Sequence, residues 1–278
     1  MDKKATLGLA VVAVLGLALV GCGDDSGATG GTAGTAGAGG MGGDAGTGGT
    51  GGGVVGTGNV TAVHLAPEVP TAEDTEVEIY VNGAASGVTL EYSESTGRIP
   101  LDAGTYDLGI GLPGADEPLL QLDGVEIVDG TDLTVVAYRT NEELPVNVMV
   151  FNTSIDGLAD GEGRVFVGHG ANDPALNPVN IVTVDTPITE CTELIPGFVF
   201  GDIFPATGVL DVPATTLTVA FNVTEDCPPV FADLGVDVPV TPNVASVVVA
   251  VDEDTTEGLA PQLWGMIDAE QPAALIAP

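Results

Sequence analysis

From Val60 onward, short runs of Val, Ile, Leu, Thr and Tyr alternate with clusters of Pro, Gly, Asn and Asp at intervals of about ten residues. So many breakers leave no room for a long helix, and heptad patterning is absent. Within the runs the apolar period is two. Val77, Ile79 and Val81 point one way, and Glu78, Tyr80 and Asn82 the other, the signature of a half-buried strand. Val244 to Val251 is nearly all apolar, which predicts a central strand covered on both faces. The pattern predicts antiparallel β-sandwiches.

The runs also repeat in order. Val60-Thr61-Ala62-Val63-His64 is answered by Val165-Phe166-Val167-Gly168-His169, each ending at a histidine and followed by a Pro-containing loop. Val77 to Val81 is answered by Val179 to Val184, and Arg98 to Leu108 by Val209 to Val219. Leu122 to Ile127 is answered by Leu234 to Val238, and Leu133 to Ala137 by Ala245 to Ala250. Five blocks in one order predict an all-β chain of two tandem antiparallel Ig-like β-sandwich domains, residues 59–155 and 164–278. The polar, Gly-rich stretch 156–163 links them, and Val146 to Phe151 and Gln262 to Ile267 are the expected closing strands. Each copy is long enough for one core of its own.

The first copy carries Val63-His64 with Pro67, then Val77, Ile79, Tyr80, Val81, Asn82 and Gly83, then Leu101, Ala103, Gly104, Thr105 and Tyr106. In this it resembles a family of bacterial exported domains of unknown function, whose hallmark is V-H-x-x-P, then V-x-V-Y-V-N-G, then L-x-A-G-T-Y. The second copy departs from that pattern at the places of Tyr80, Asn82-Gly83 and Gly104-Thr105-Tyr106. The resemblance implies a β-sandwich on a cell-surface or periplasmic lipoprotein, and no reaction.

The N-terminus has the layout of an export signal: Lys3 and Lys4, then an apolar run from Ala5 to Val20, too short to span a bilayer comfortably. Leu19-Val20-Gly21-Cys22 resembles the bacterial lipobox, which implies a signal peptide of residues 1–21 and acylation of Cys22. Two or more acyl chains hold a protein stably to a membrane, where one does so only marginally. The alternatives are an ordinary secreted chain with a chance cysteine, or an uncleaved anchor. Gly23, where an Asp would argue for inner-membrane retention, favours the outer membrane. Residues 22–58 are mostly Gly, Thr and Ala, too poor in apolar surface to offset backbone entropy, and are expected to form a disordered tether with a span of roughly 35 Å.

The formal net charge is −35, and beyond Lys4 the only cations are Arg98, Arg139 and Arg164. An acidic surface of this kind repels nucleic acid. Cys191 and Cys227 are expected to pair as a disulfide in an oxidising compartment, worth about 3–4 kcal/mol in the chain-entropy model. Asp156, Asp160 and Glu162 in the linker, and Asp252, Asp254 and their neighbours after the last apolar run, are calcium candidates set against solvated acidic loops. They match no EF-hand, and no other cofactor is expected.

His64 and His169 occupy one repeat position and are the only histidines. They are expected to fix the loops that follow, with catalysis or metal ligation as the rival role. No G-x-S-x-G, H-E-x-x-H or phosphate loop occurs, and aromatics make up only 4% of the chain. The expectation is a lipid-anchored envelope protein, not an enzyme, with a structural, adhesive or binding role toward a protein or glycan. The alternative is an envelope hydrolase with its site near one of the histidines.

Overall fold

The computed structural model describes residues 56–71, 74–140, 145–184, 191–222, 236–252 and 262–275. The expected signal peptide, Cys22 and residues 22–55 of the expected tether lie outside them. The period-two runs become strands. In the first half these are β1 (Thr57–Leu65), β2 (Val77–Val81), β3 (Ala84–Leu90), β4 (Glu94–Ser95), β5 (Ile99–Asp102), β6 (Gly104–Gly111), β7 (Leu120–Ile127), β8 (Asp132–Arg139) and β9 (Val146–Asn152). The second half runs β10 (Glu162–Gly170), a 3₁₀ turn (Pro174–Leu176), β11 (Val179–Val184), β12 (Cys191–Phe198), β13 (Ile203–Phe204), β14 (Asp211–Pro213), β15 (Thr216–Asn222), β16 (Val236–Pro239), β17 (Ala245–Val251), β18 (Gln262–Ile267) and β19 (Ala273–Ala274). β1 takes up residues 57 and 58 of the expected tether, and β10 takes up the last two residues of the expected linker.

Each half contributes an outer and an inner sheet. The outer sheets have the orders β3-β2-β6-β7 and β12-β11-β15-β16. The inner sheets run β4-β1-β8-β9, with β5 also on β1, and β13-β10-β17-β18-β19, with β14 also on β10. From β1 to β9 and from β10 to β18 the connectivity is the same. Most ladders are antiparallel, but β1 and β8 pair in parallel, as do β10 and β17. His64 lies opposite Ala137, and His169 opposite Ala250. The chain between each parallel pair builds the outer sheet, adds two short strands to the inner one, and serves as the crossover.

Three sets of cores join the four sheets into one stack. Val77, Leu90 and Ile110 of the first outer sheet pack with Ala137 and Val146 of the inner sheet. Val165 and Val167 pack with Val179, Ile181, Ile195 and Phe198 in the second half. The largest core joins the two inner sheets: Val63, Leu65, Val136, Tyr138, Met149 and Phe151 meet Phe166, Ala245, Val247, Val249, Val251 and Met266. Both inner sheets are thus covered on both faces, and β17 is buried along its whole length. Three aromatic pairs straddle the junction: Tyr92–Trp264, Tyr138–Phe200 and Phe151–Phe166, with ring centroids 5.5–5.9 Å apart.

The close approach of the inner sheets depends on Gly168 and Gly170. A Cβ on Gly168 would come within 2.6 Å of Met149 Sδ, and one on Gly170 within 3.0 Å of Tyr138. Polar ties supplement the core. Gln271 exchanges two hydrogen bonds with the main chain of Ser95, at 2.8 and 2.7 Å, and Arg98 bridges Asp132 and Asp268. Arg164 pairs with Asp211 at 2.7 Å and donates to the carbonyls of Ser154 and Asp156, which pins the connector between the halves.

Candidate functional site

The two histidines lie one residue before the ends of β1 and β10, on the faces turned to the outer sheets. His64 is fully buried. Its Nε2–H donates to the carbonyls of Val69 (3.2 Å) and Thr75 (2.9 Å), and its Nδ1 accepts from the Ala66 amide at 3.5 Å. His169 Nε2–H donates to Leu176 O at 2.7 Å, and the ring lies 5.7 Å from Phe198. Burial pushes both imidazoles below their ordinary pKa, against the raising effect of the carbonyls. Each ring closes the loop that follows its strand through hydrogen bonds to main-chain groups. No serine hydroxyl or carboxylate is hydrogen-bonded to either ring among the described contacts.

The other structured feature is a cleft between the two sheets of the first half. It holds a cavity of about 70 Å³ lined by Val, Leu, Ile and Ala side chains and the Gly109 backbone, with no titratable side chain. Buried clusters adjoin it: Ile127, 1% exposed, packs with Val60 and Leu133, and Val69 and Val77 pack with Val146. Along its walls Ala62, Ile79, Val135 and Val148 are only partly buried, although they face the interior.

On the opposite side of β2 the order is reversed. Glu78 and Tyr80 face outward yet are buried beneath the β6–β7 loop. The Glu78 carboxylate accepts from Gly87 N (3.0 Å) and Gly114 N (2.7 Å), and the Tyr80 hydroxyl meets the Leu112 and Ala115 carbonyls. Period-two reasoning assigns Glu78 and Tyr80 to the outward face, which is where they lie. The loop that covers them has no period to read.

The remaining candidates are dispersed. Asp156, Asp160 and Glu162 lie on the connector and the start of β10, and Asp252 is buried just past β17. Asp254 is outside the described residues. Among the described residues no three His, Cys, Asp or Glu side chains gather at a metal-sized position. Cys191 opens β12, and its expected partner Cys227 lies outside the described residues. Arg139 pairs with Glu68 at 2.8 Å, so all three arginines are engaged in ion pairs.

A family model described as a domain of unknown function (DUF4397) matches residues 58–181, which is the whole first half and the second as far as β11. No curated protein matches the chain.

Proposed function

We propose that this is an exported protein, acylated at Cys22 and anchored to the cell envelope. In this reading residues 57–152 and 162–267 are two copies of one exported domain, and their role is to bind rather than to catalyse. The observation that carries the binding role is the cleft: its walls are aliphatic and hold nothing that could transfer a proton. The imidazoles, the best general-base candidates, are spent on loop carbonyls. The outer membrane is the expected location, on the strength of Gly23 after Cys22.

Two measurements test this. Labelled palmitate should enter the wild-type chain and not Cys22→Ala, and the variant should leave the membrane fraction. The purified protein should turn over no ester or glycoside substrate. Turnover that disappears in His64→Gln or His169→Gln would replace the binding role with the hydrolase alternative.

A further inference from the structure

The repeat supplies a comparison for the cleft within the same molecule. Each inner-face position of the first half has a register-matched position in the second. Ala62 corresponds to Val167, two residues before each histidine, and their cross-strand partners are Val135 and Val248. Val148 corresponds to Leu263, the partners of Ala137 and Ala250. Ile79 and Ile181 are the third residues of β2 and β11. In the second half all four positions are buried, and the matching cavity shrinks to about 30 Å³. In the first half all four are partly exposed. The side chains at two of these positions are smaller in the first half, Ala for Val and Val for Leu. One fold thus occurs here closed and open, and the difference lies in side-chain volume.

We infer that the open cleft of the first half binds the terminal segment of an unbranched alkyl chain carried on a neutral or cationic head group. The walls offer no hydrogen-bonding side chain, so the buried part of the ligand is hydrocarbon. The enclosed space is about half that of a ~150 Å³ engineered cavity that binds benzene, which suits a slender chain end better than a ring. The head group follows from charge. The net charge is −35, and Arg98, Arg139 and Arg164 are each already held by a carboxylate. An anionic head group would therefore meet repulsion with no countercharge to offset it.

This inference rests on the binding role proposed above. The test uses the full mature chain with its Ala, Ile and Val methyls labelled for NMR, titrated below micellar concentration with dodecyltrimethylammonium, dodecyl maltoside and dodecyl sulfate. Saturable shifts at Ala62, Ile79 and Val135 are expected with the first two. In Ala62→Val/Val148→Leu, which installs the residues of the closed half, affinity should fall at least about tenfold. Should that pair disturb folding, Val148→Leu alone carries the test. Dimyristoyl phosphatidylcholine vesicles form a further arm. Shifts with vesicles identify a bilayer lipid as the source of the chain, and shifts with the soluble amphiphiles alone identify a free one. Absence of saturable shifts, equal affinity in the filled variants, or equal binding of dodecyl sulfate would overturn the inference. A chain that binds no alkyl probe and still shows no histidine-dependent turnover fails here and leaves the binding role standing.

Discussion

His64 and His169 face carbonyl oxygens through Nε2, and His64 Nδ1 accepts a main-chain amide. Burial outweighs the carbonyls, which favour the protonated ring, and holds both pKa values below that of the unfolded chain. Between the folded pKa and the ordinary value near 6.5 the unfolded chain binds more protons, so stability rises with pH across that window. The contribution is complete above the window and is lost as pH falls through it. Each ring can supply a slope of at most about 1.4 kcal/mol per pH unit. Urea midpoints taken from pH 7.5 down to 5.5 should fall more steeply for the wild type than for His64→Gln, and parallel curves would show that burial does not couple this ring to folding. Gly168 makes a separate demand: its position is set by Met149 and Phe151 and not by a left-handed backbone. Gly168→Val should cost about 1–3 kcal/mol by overpacking, read as a lower denaturant midpoint. The histidines could be found in the sequence because they are rare and repeat. Gly168 could not, because a strand glycine reveals its reason only when the opposing sheet is in place.

At the scale of strands, the repeat read from residue types survives as paired register: Pro100 lies opposite Asn59 on β1, and Asp211 opposite Arg164 on β10, as the block alignment requires. The alignment slips by two residues on β7 and β16. Ile127 pairs with Gly104, whereas the residue at the matching height in the second half is Val240, bonded to Thr215, and not Val238. The β6–β7 pairing also shifts register by one residue between Tyr106 and Leu108, whereas β15 and β16 pair in continuous register. β2 and β11 carry their own shared irregularity. Gly87 and Gly197 adopt φ of 76° and 57°, and their amides donate to Glu78 and to Asn180. Glu78 differs from Asn180 in reaching a second loop through Gly114. Glu78→Leu should therefore cost about 1–3 kcal/mol and speed amide exchange at both Gly87 and Gly114. Exchange faster at Gly87 alone would mean that the Tyr80 hydroxyl suffices to hold the β6–β7 loop. The cleft escaped the sequence for a related reason: the period-two pattern marks which side chains face inward, and says nothing of whether their volumes fill the space they face.

Across the whole chain, the two halves are not beads on a polar linker. Six of its twelve aromatic residues (Tyr92, Tyr138, Phe151, Phe166, Phe200 and Trp264) form pairs across the junction between inner sheets. The nearly unbroken apolar run of β17 forecast a strand covered on both faces, and it is one. What covers its second face is the other half of the chain. That partner could not be read locally, since the connector between the halves is polar and reads as a spacer. The first half separated from the second would expose Val63, Leu65, Val136, Tyr138, Met149 and Phe151 as one patch. At about 1.5–3 kcal/mol for each buried side chain, the junction is worth on the order of 10 kcal/mol to this face, as much as the whole stability of an ordinary domain. Residues 56–155 expressed alone should therefore self-associate through that patch, with sedimentation showing dimers or larger species. Val136→Glu in that fragment should abolish the association, at a further cost in stability. A fragment that stays monomeric and melts as cooperatively as the full chain would show that the intra-half cores carry the fold and that the junction only positions one sandwich against the other. The same measurement bears on the open cleft, because its walls belong to the half whose inner sheet is braced from behind by this junction.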